Sequence, residues 1–191
     1  MLTYHLTKTL TSPKDEWDQL VLSELGENIH PKRIHGFCLS REALKLCFAD
    51  RGIDLKVTDL KLKNFGAVKN QNSLTISLSH TPEFGAALIA DKRKIISVGI
   101  DIEPVQRIVK PSILERISHP EDLKLEPLAT WSLKEATFKA IMNTGKFLLP
   151  VEFSSIKINH HSWLHADSNL AGEWKLEQEQ GLMVALAWIK I

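Results

Sequence analysis

Val98-Gly99-Ile100-Asp101-Ile102-Glu103-Pro104, the stretch VGIDIEP at positions 98–104, decides how this chain is read. From Ile95 to Ile102, β-branched residues fill both faces of the segment, which predicts a strand in the interior of a sheet. Side chains alternate along a strand, so Asp101 and Glu103 share one face about 6.6 Å apart, while Ile100 and Ile102 point to the other. Two like charges held close on a buried strand are costly. The cost is relieved either by water, where the strand runs out at Pro104, or by a hard cation with oxygen ligands. This segment alone leaves both readings open. Gly99, two residues before Asp101, permits close approach of another backbone.

Downstream of this strand, the pattern predicts a short helix near 111–117 and a longer one over 126–142, ended by Asn143 and Gly145. Strands are predicted at 153–158, 174–176 and 182–189. Upstream, residues 2–8 alternate like a strand, and Ser12-Pro13-Lys14-Asp15 offers an N-cap, a proline at the first helical position and an early acid. A helix from Pro13 to Leu25 follows, then a second from Lys32 until Gly52 ends it. After a lysine-rich polar stretch come strands at 74–78 and 85–90, joined by a turn at Ser79-His80-Thr81-Pro82. Helices and strands thus recur in similar order on either side of the midpoint. GAALIADK (85–92) echoes MVALAWIK (183–190). The expectation is an α+β fold of two similar α/β halves in one chain, related by a pseudo-twofold, with residues 1–98 forming the first half and 99–191 the second.

At 191 residues and 43% hydrophobic composition, the chain can bury a substantial core. Its 24 basic and 23 acidic side chains leave a net charge of +1. No global field steers it toward nucleic acid or membrane, so electrostatic recognition must be local. The N-terminus MLTYHLTKTL lacks a basic leader followed by an apolar run, and no stretch is long and apolar enough to span a bilayer, which points to the cytoplasm. Cys38 and Cys47 are the only cysteines. Nine residues apart in one helical segment, they are expected to be reduced and buried.

A second chemical element is WSLKEATFKA (131–140). Glu135 and Lys139 lie four residues apart, stacked on one helical face about 6 Å apart, with Trp131 and Phe138 near the same side. In isolation such a pair is an ordinary surface ion pair worth a few tenths of a kcal/mol. Joined to Asp101 and Glu103, a helix carboxylate completes an oxygen-rich site for magnesium, and the lysine beside it can grip a phosphate. A third element, LTISLSHTPEFG (74–85), ends a strand at Ser79 and His80, where a histidine can donate to a phosphate oxygen.

The ordered set SLSH, VGIDIE and WSLKEATFK, spanning 79–139, resembles the 4'-phosphopantetheinyl transferase superfamily. Because about a hundred residues precede Asp101, the resemblance is to its larger, pseudodimeric Sfp-type branch, in which the active site lies in the cleft between two halves. The resemblance implies that Asp101, Glu103 and Glu135 bind magnesium, with manganese as a substitute. Glu135 would take the proton of a serine on an apo acyl or peptidyl carrier protein, and Lys139 would stabilise the departing 3',5'-ADP. Ser79 and His80, with Lys32 and Arg33, would hold the 3'-phosphate of coenzyme A, the co-substrate. A monomer is implied. Carrier proteins are acidic around the modified serine, so a basic surface involving Arg107, Lys110 and Arg116 is an expected dock. Relatives carry Gly-Lys-Pro in a loop near the adenine, and this chain has Gly66-Ala67-Val68, with lysines at 63 and 69, in its stead. Three carboxylates and a lysine also suit another magnesium-dependent phosphoryl or nucleotidyl enzyme, and a non-catalytic module that grips coenzyme A would have the same fold.

Overall fold

A computed structural model of the chain describes residues 2–27, 29–61, 73–145 and 150–191. These form two compact units, Met1–Lys92 and Arg93–Ile191, each with one antiparallel sheet. The division falls at the turn before the VGIDIEP strand, so that this strand belongs whole to the second unit.

The first unit runs β1 (Thr3–Thr7), α1 (Lys14–Leu25), α2 (Pro31–Ala49), β2 (Leu74–His80) and β3 (Gly85–Asp91). Its sheet has the order β1-β3-β2. The start of α1 differs from expectation: Ser12 does not cap the helix, and its hydroxyl accepts instead from the Nζ of Lys45 on α2 at 2.9 Å. At the start of α2, Nδ1 of His30 accepts from the Lys32 amide, and Pro31 fills the first helical position, where its missing N–H costs nothing. Trp17, Leu20 and Val21 of α1 and Phe37, Cys38, Leu44, Cys47 and Phe48 of α2 form the core with Ile76, Ala87 and Ile89 of the sheet.

Burial decides the chemistry of the two thiols. It raises the Cys38 thiol from an ordinary value of 9.0 to about 11, against the lowering influence of Arg41. It raises Cys47 to about 12, helped by the charge of Asp50. The folded state therefore keeps protons that the unfolded chain gives up above pH 9, so both thiols cost stability as pH rises through 9 toward 11 and 12. A disulfide-exchange reagent at pH 8 should leave both cysteines unmodified in the folded protein and titrate two thiols on unfolding. Rapid reaction of either thiol without unfolding would show that the α2 core is not closed.

The second unit runs β4 (Ile95–Pro104), α3 (Pro111–Ile117), α4 (Pro127–Met142), β5 (Ile156–Asn159), β6 (Ser162–His165), β7 (Leu170–Glu179) and β8 (Leu182–Lys190), with sheet order β4-β8-β7-β6-β5. Residues 153–155, expected to open a strand, form a 3-10 turn, and the strand begins only at Ile156. β6 was not foreseen. It pairs with β5 through a turn at His160-His161, with His161 at φ 56°, and this dipeptide lacks the asparagine or glycine that announces a tight hairpin. β7 extends well beyond the expected 174–176, because its charged residues hid a strand whose side chains are only partly covered.

Small residues let α4 lie directly on this sheet. Ala136 and Ala140 of the helix meet Ala185 and Ala187 of β8 in the core, and Gly99 of β4 lies opposite Ala187. A Cβ on Gly99 would fall 1.8 Å from the carbonyl oxygen of Ala136 and 2.6 Å from the amide nitrogen of Ala140. In each unit, the first strand pairs with the last and the last with the one before it: β1-β3-β2 in one, β4-β8-β7 in the other. The two echoing segments, 85–92 and 183–190, correspond to β3 and β8, which hold the same place in these two orders.

Candidate active site

The glycine contact sets how β4 and α4 face each other. The strand's residues 99, 101 and 103 point toward the helix, whose residues 131, 135 and 139 follow at intervals of four and so share one face. At one end Asn143 donates to the Val98 carbonyl at 2.8 Å. Next, Nζ of Lys139 donates to Asp101 Oδ1 at 2.8 Å and to the Ile100 carbonyl at 2.9 Å. Beyond that, Trp131 Nε1 donates to Glu103 Oε1 at 3.0 Å. The guanidinium of Arg107 donates to the same carboxylate and lies over the Trp131 ring, 5.0 Å from its centroid.

Glu135 occupies the middle of this helical face. Burial, followed by the charge of Asp101, raises its carboxyl above the ordinary range; Lys139 opposes the shift, Glu103 adds to it and Arg107 opposes it. Four charged neighbours are thus felt at one carboxyl. Asp101 is 5% exposed, so its charge is little screened by water.

The donor set suits a small hard cation, since all candidate ligands are carboxylate oxygens and the like charges of Asp101 and Glu103 already act on Glu135. As the side chains stand, Lys139 and Arg107 answer the charges of Asp101 and Glu103 separately. Among the described residues, no three histidine, cysteine, aspartate or glutamate side chains are grouped as they would be around a metal ion.

An open cleft of about 540 Å³ adjoins Glu135 and Trp131, lined also by Arg116, Glu152, Phe153 and Ser154. Its aromatic wall is a stack: Phe153 lies 5.0 Å from Phe138 and 6.3 Å from Trp131, centroid to centroid and nearly parallel. Lys134 turns away from this cleft and is fully buried. Its Nζ donates to Asp122 Oδ2 at 2.8 Å, to the Phe153 carbonyl at 3.3 Å and to the Ile156 carbonyl. Burial lowers the Lys134 ammonium from its ordinary value, and Asp122 opposes the shift.

The other expected site residues belong to the first unit. Ser79 is buried and His80 exposed at the end of β2; Lys32 and Arg33 are exposed on the first turn of α2. A Cβ on Gly36 would fall 2.1 Å from the His80 ring, so α2 passes directly beneath the imidazole. Lys32 and Arg33 precede Gly36 by four and three residues, which puts them on that same helical face. Gly66-Ala67-Val68 and the lysines at 63 and 69 lie outside the described residues. Sequence reasoning missed Gly36, Asp122 and Phe153. For Gly36 there was a signal, an isolated glycine inside a helical pattern. Of the expected basic dock, Arg107 belongs with the carboxylates, Arg116 lines the cleft and Lys110 is exposed.

Residues 97–181 match the sequence family described as ACPS, the 4'-phosphopantetheinyl transferase superfamily. This stretch of the second unit therefore carries a domain of that superfamily, and it contains Asp101, Glu103, Trp131, Lys134, Glu135 and Lys139. Comparison with curated protein sequences gave no match. Among the described residues, no helix is long and apolar enough to cross a membrane.

Proposed function

We propose that the protein transfers the 4'-phosphopantetheine arm of coenzyme A to a serine of an apo acyl or peptidyl carrier protein, releasing 3',5'-ADP. The observation that carries this reading is the pairing of Glu135 and Lys139 on α4 with Asp101 and Glu103 on β4, inside the stretch that matches the superfamily.

Asp101, Glu103 and Glu135 are the residues that would hold magnesium, or manganese. Such a cation supplies charge neutralisation at the pyrophosphate. Glu135, whose proton affinity burial and Asp101 raise, accepts the proton of the serine hydroxyl as its oxygen bonds to phosphorus. The bond from phosphorus to the 3',5'-ADP oxygen breaks, and Lys139 meets the negative charge left on that oxygen. Trp131 and Arg107 orient Glu103 by the two bonds they give it. The cleft beside Glu135 receives the pantetheine arm: its aromatic wall suits the arm's dimethyl group, and Ser154 and Glu152 suit its amides. Ser79, His80, Lys32 and Arg33 hold the 3'-phosphate, and Lys110 and Arg116 attract the acidic carrier. The shared strand order of the two units supports assignment to the pseudodimeric, Sfp-type branch, and that branch implies a monomer.

Incubation with coenzyme A, magnesium and a panel of apo carriers tests the reading. A serine-linked mass gain of one phosphopantetheine supports it and identifies the carrier. Hydrolysis of nucleotides without any gain on a carrier would favour a different magnesium-dependent phosphoryl enzyme, and binding of coenzyme A without turnover would leave a binding module.

A further inference from the structure

Lys134 sits within the motif that supplies Glu135 and Lys139, yet it is fully buried and faces away from them. Its ammonium has three donors and three acceptors, namely the Asp122 carboxylate and the carbonyls of Phe153 and Ile156. Asp122 is as fully engaged. Its Oδ2 also accepts from the His119 amide at 2.7 Å, and its Oδ1 from the Ile158 amide at 2.8 Å. The Leu123 amide donates to the Ile158 carbonyl at 2.7 Å.

Burying such a pair is a poor way to gain stability, since apolar side chains of similar volume often do as well or better. What the pair supplies here is geometry. Phe153 and Ile156 begin and follow the 3-10 turn, so one ammonium holds both ends of the segment that carries the Phe153 ring and Ser154. That ring stacks between Trp131 and Phe138, and with Ser154 it walls the cleft.

We propose that Lys134 and Asp122 are a positioning pair that fixes the 153–156 segment against α4, and thereby sets the grip of the cleft on the pantetheine arm through Phe153. The proposal rests on the reading of coenzyme A as substrate. Neither residue touches the substrate.

The test compares the affinities of coenzyme A and of 3',5'-ADP, which lacks the arm, measured by calorimetric titration. Wild type should bind coenzyme A more tightly than 3',5'-ADP. Phe153→Leu should weaken coenzyme A by about tenfold and change 3',5'-ADP less than about twofold. Lys134→Met alone leaves a buried carboxylate without its cation and should lower the thermal transition. Lys134→Met combined with Asp122→Asn removes both charges but sets an amide donor against one of the two backbone N–H groups that Asp122 accepts, so it should recover only part of that loss, while coenzyme A still binds about tenfold more weakly and 3',5'-ADP does not. A double variant that regains both stability and the wild-type ratio of the two affinities would mean a structural role only and overturn the proposal. If the double variant does not fold, an unchanged ratio in Phe153→Leu overturns it. Equal binding of both nucleotides by wild type would overturn it while leaving coenzyme A as ligand. Binding of neither would remove the substrate reading itself.

Discussion

Glu135→Gln is expected to slow phosphopantetheine transfer by about 10²- to 10⁴-fold while leaving the thermal transition of the metal-free protein unchanged or higher. Both halves of this result follow from one environment. Glu135 is raised first by burial and then by the charge of Asp101, so its ionised form is held where the protein would rather have a neutral group. Glutamine keeps the shape and loses the charge. It removes a repulsion that Lys139 and Arg107 only partly offset, and it removes the only group of α4 suited to accept the serine proton. Lys139 keeps its bond to Asp101 in the variant, so no buried cation is stranded. The measurements are the rate of mass gain on an apo carrier and a scanning calorimetry trace without metal. A rate within a few-fold of wild type would sink the assignment of Glu135 as base. A large fall in the transition temperature would mean that the carboxylate holds the fold together and that its loss of activity is indirect.

The sequence carried this cluster because its two elements obey simple periods. Alternation along 98–104 sets Asp101 and Glu103 on one side, and four-residue spacing over 131–139 sets Trp131, Glu135 and Lys139 on one helical face. Neither period depends on what the rest of the chain does. The partner of Lys134 was illegible for the opposite reason. Asp122 lies in an irregular stretch before α4, and a lysine between Leu133 and Glu135 looks like any solvated helix position. Its burial is decided by the 3-10 turn at Phe153–Ser155, which the apolar pattern had presented as the start of a strand. Phe153 was lost with that misreading, since a strand residue would have pointed into a sheet rather than between Trp131 and Phe138. The mixed α+β class was legible from the order of elements, and that order suggested a recurrence. Segment similarity could only hint at it, because any two buried strands share apolar residues; the pairing order of each sheet speaks to it more directly.

Gly99→Ala is expected to be the most damaging single-methyl change in the second unit. The added Cβ would lie 1.8 Å from the Ala136 carbonyl oxygen and 2.9 Å from its carbon. These are backbone atoms inside a helix, so no side-chain rotation makes room, and the helix and strand must separate. Overpacking of a close contact costs about 3 kcal/mol at the upper end of its usual range. For a chain of this size that corresponds to a drop of roughly 6–12 °C in the transition temperature. The separation also acts on chemistry, because Asp101 and Lys139 lie next along the same strand and helix. Their contact of 2.8 Å depends on the spacing that Gly99 sets. A displacement of about 1 Å at a reacting group can cost about 10²-fold in rate, so activity should fall at temperatures where the variant is still folded. The comparison that isolates this effect is Gly145→Ala. Gly145 has open space around its Cβ position but a φ of 66°, so the variant carries backbone strain without any helix–strand clash. It should lose about 1 kcal/mol and little activity. Equal losses of activity in the two variants, measured well below both transitions, would contradict a role for the Gly99 contact in aligning β4 with α4.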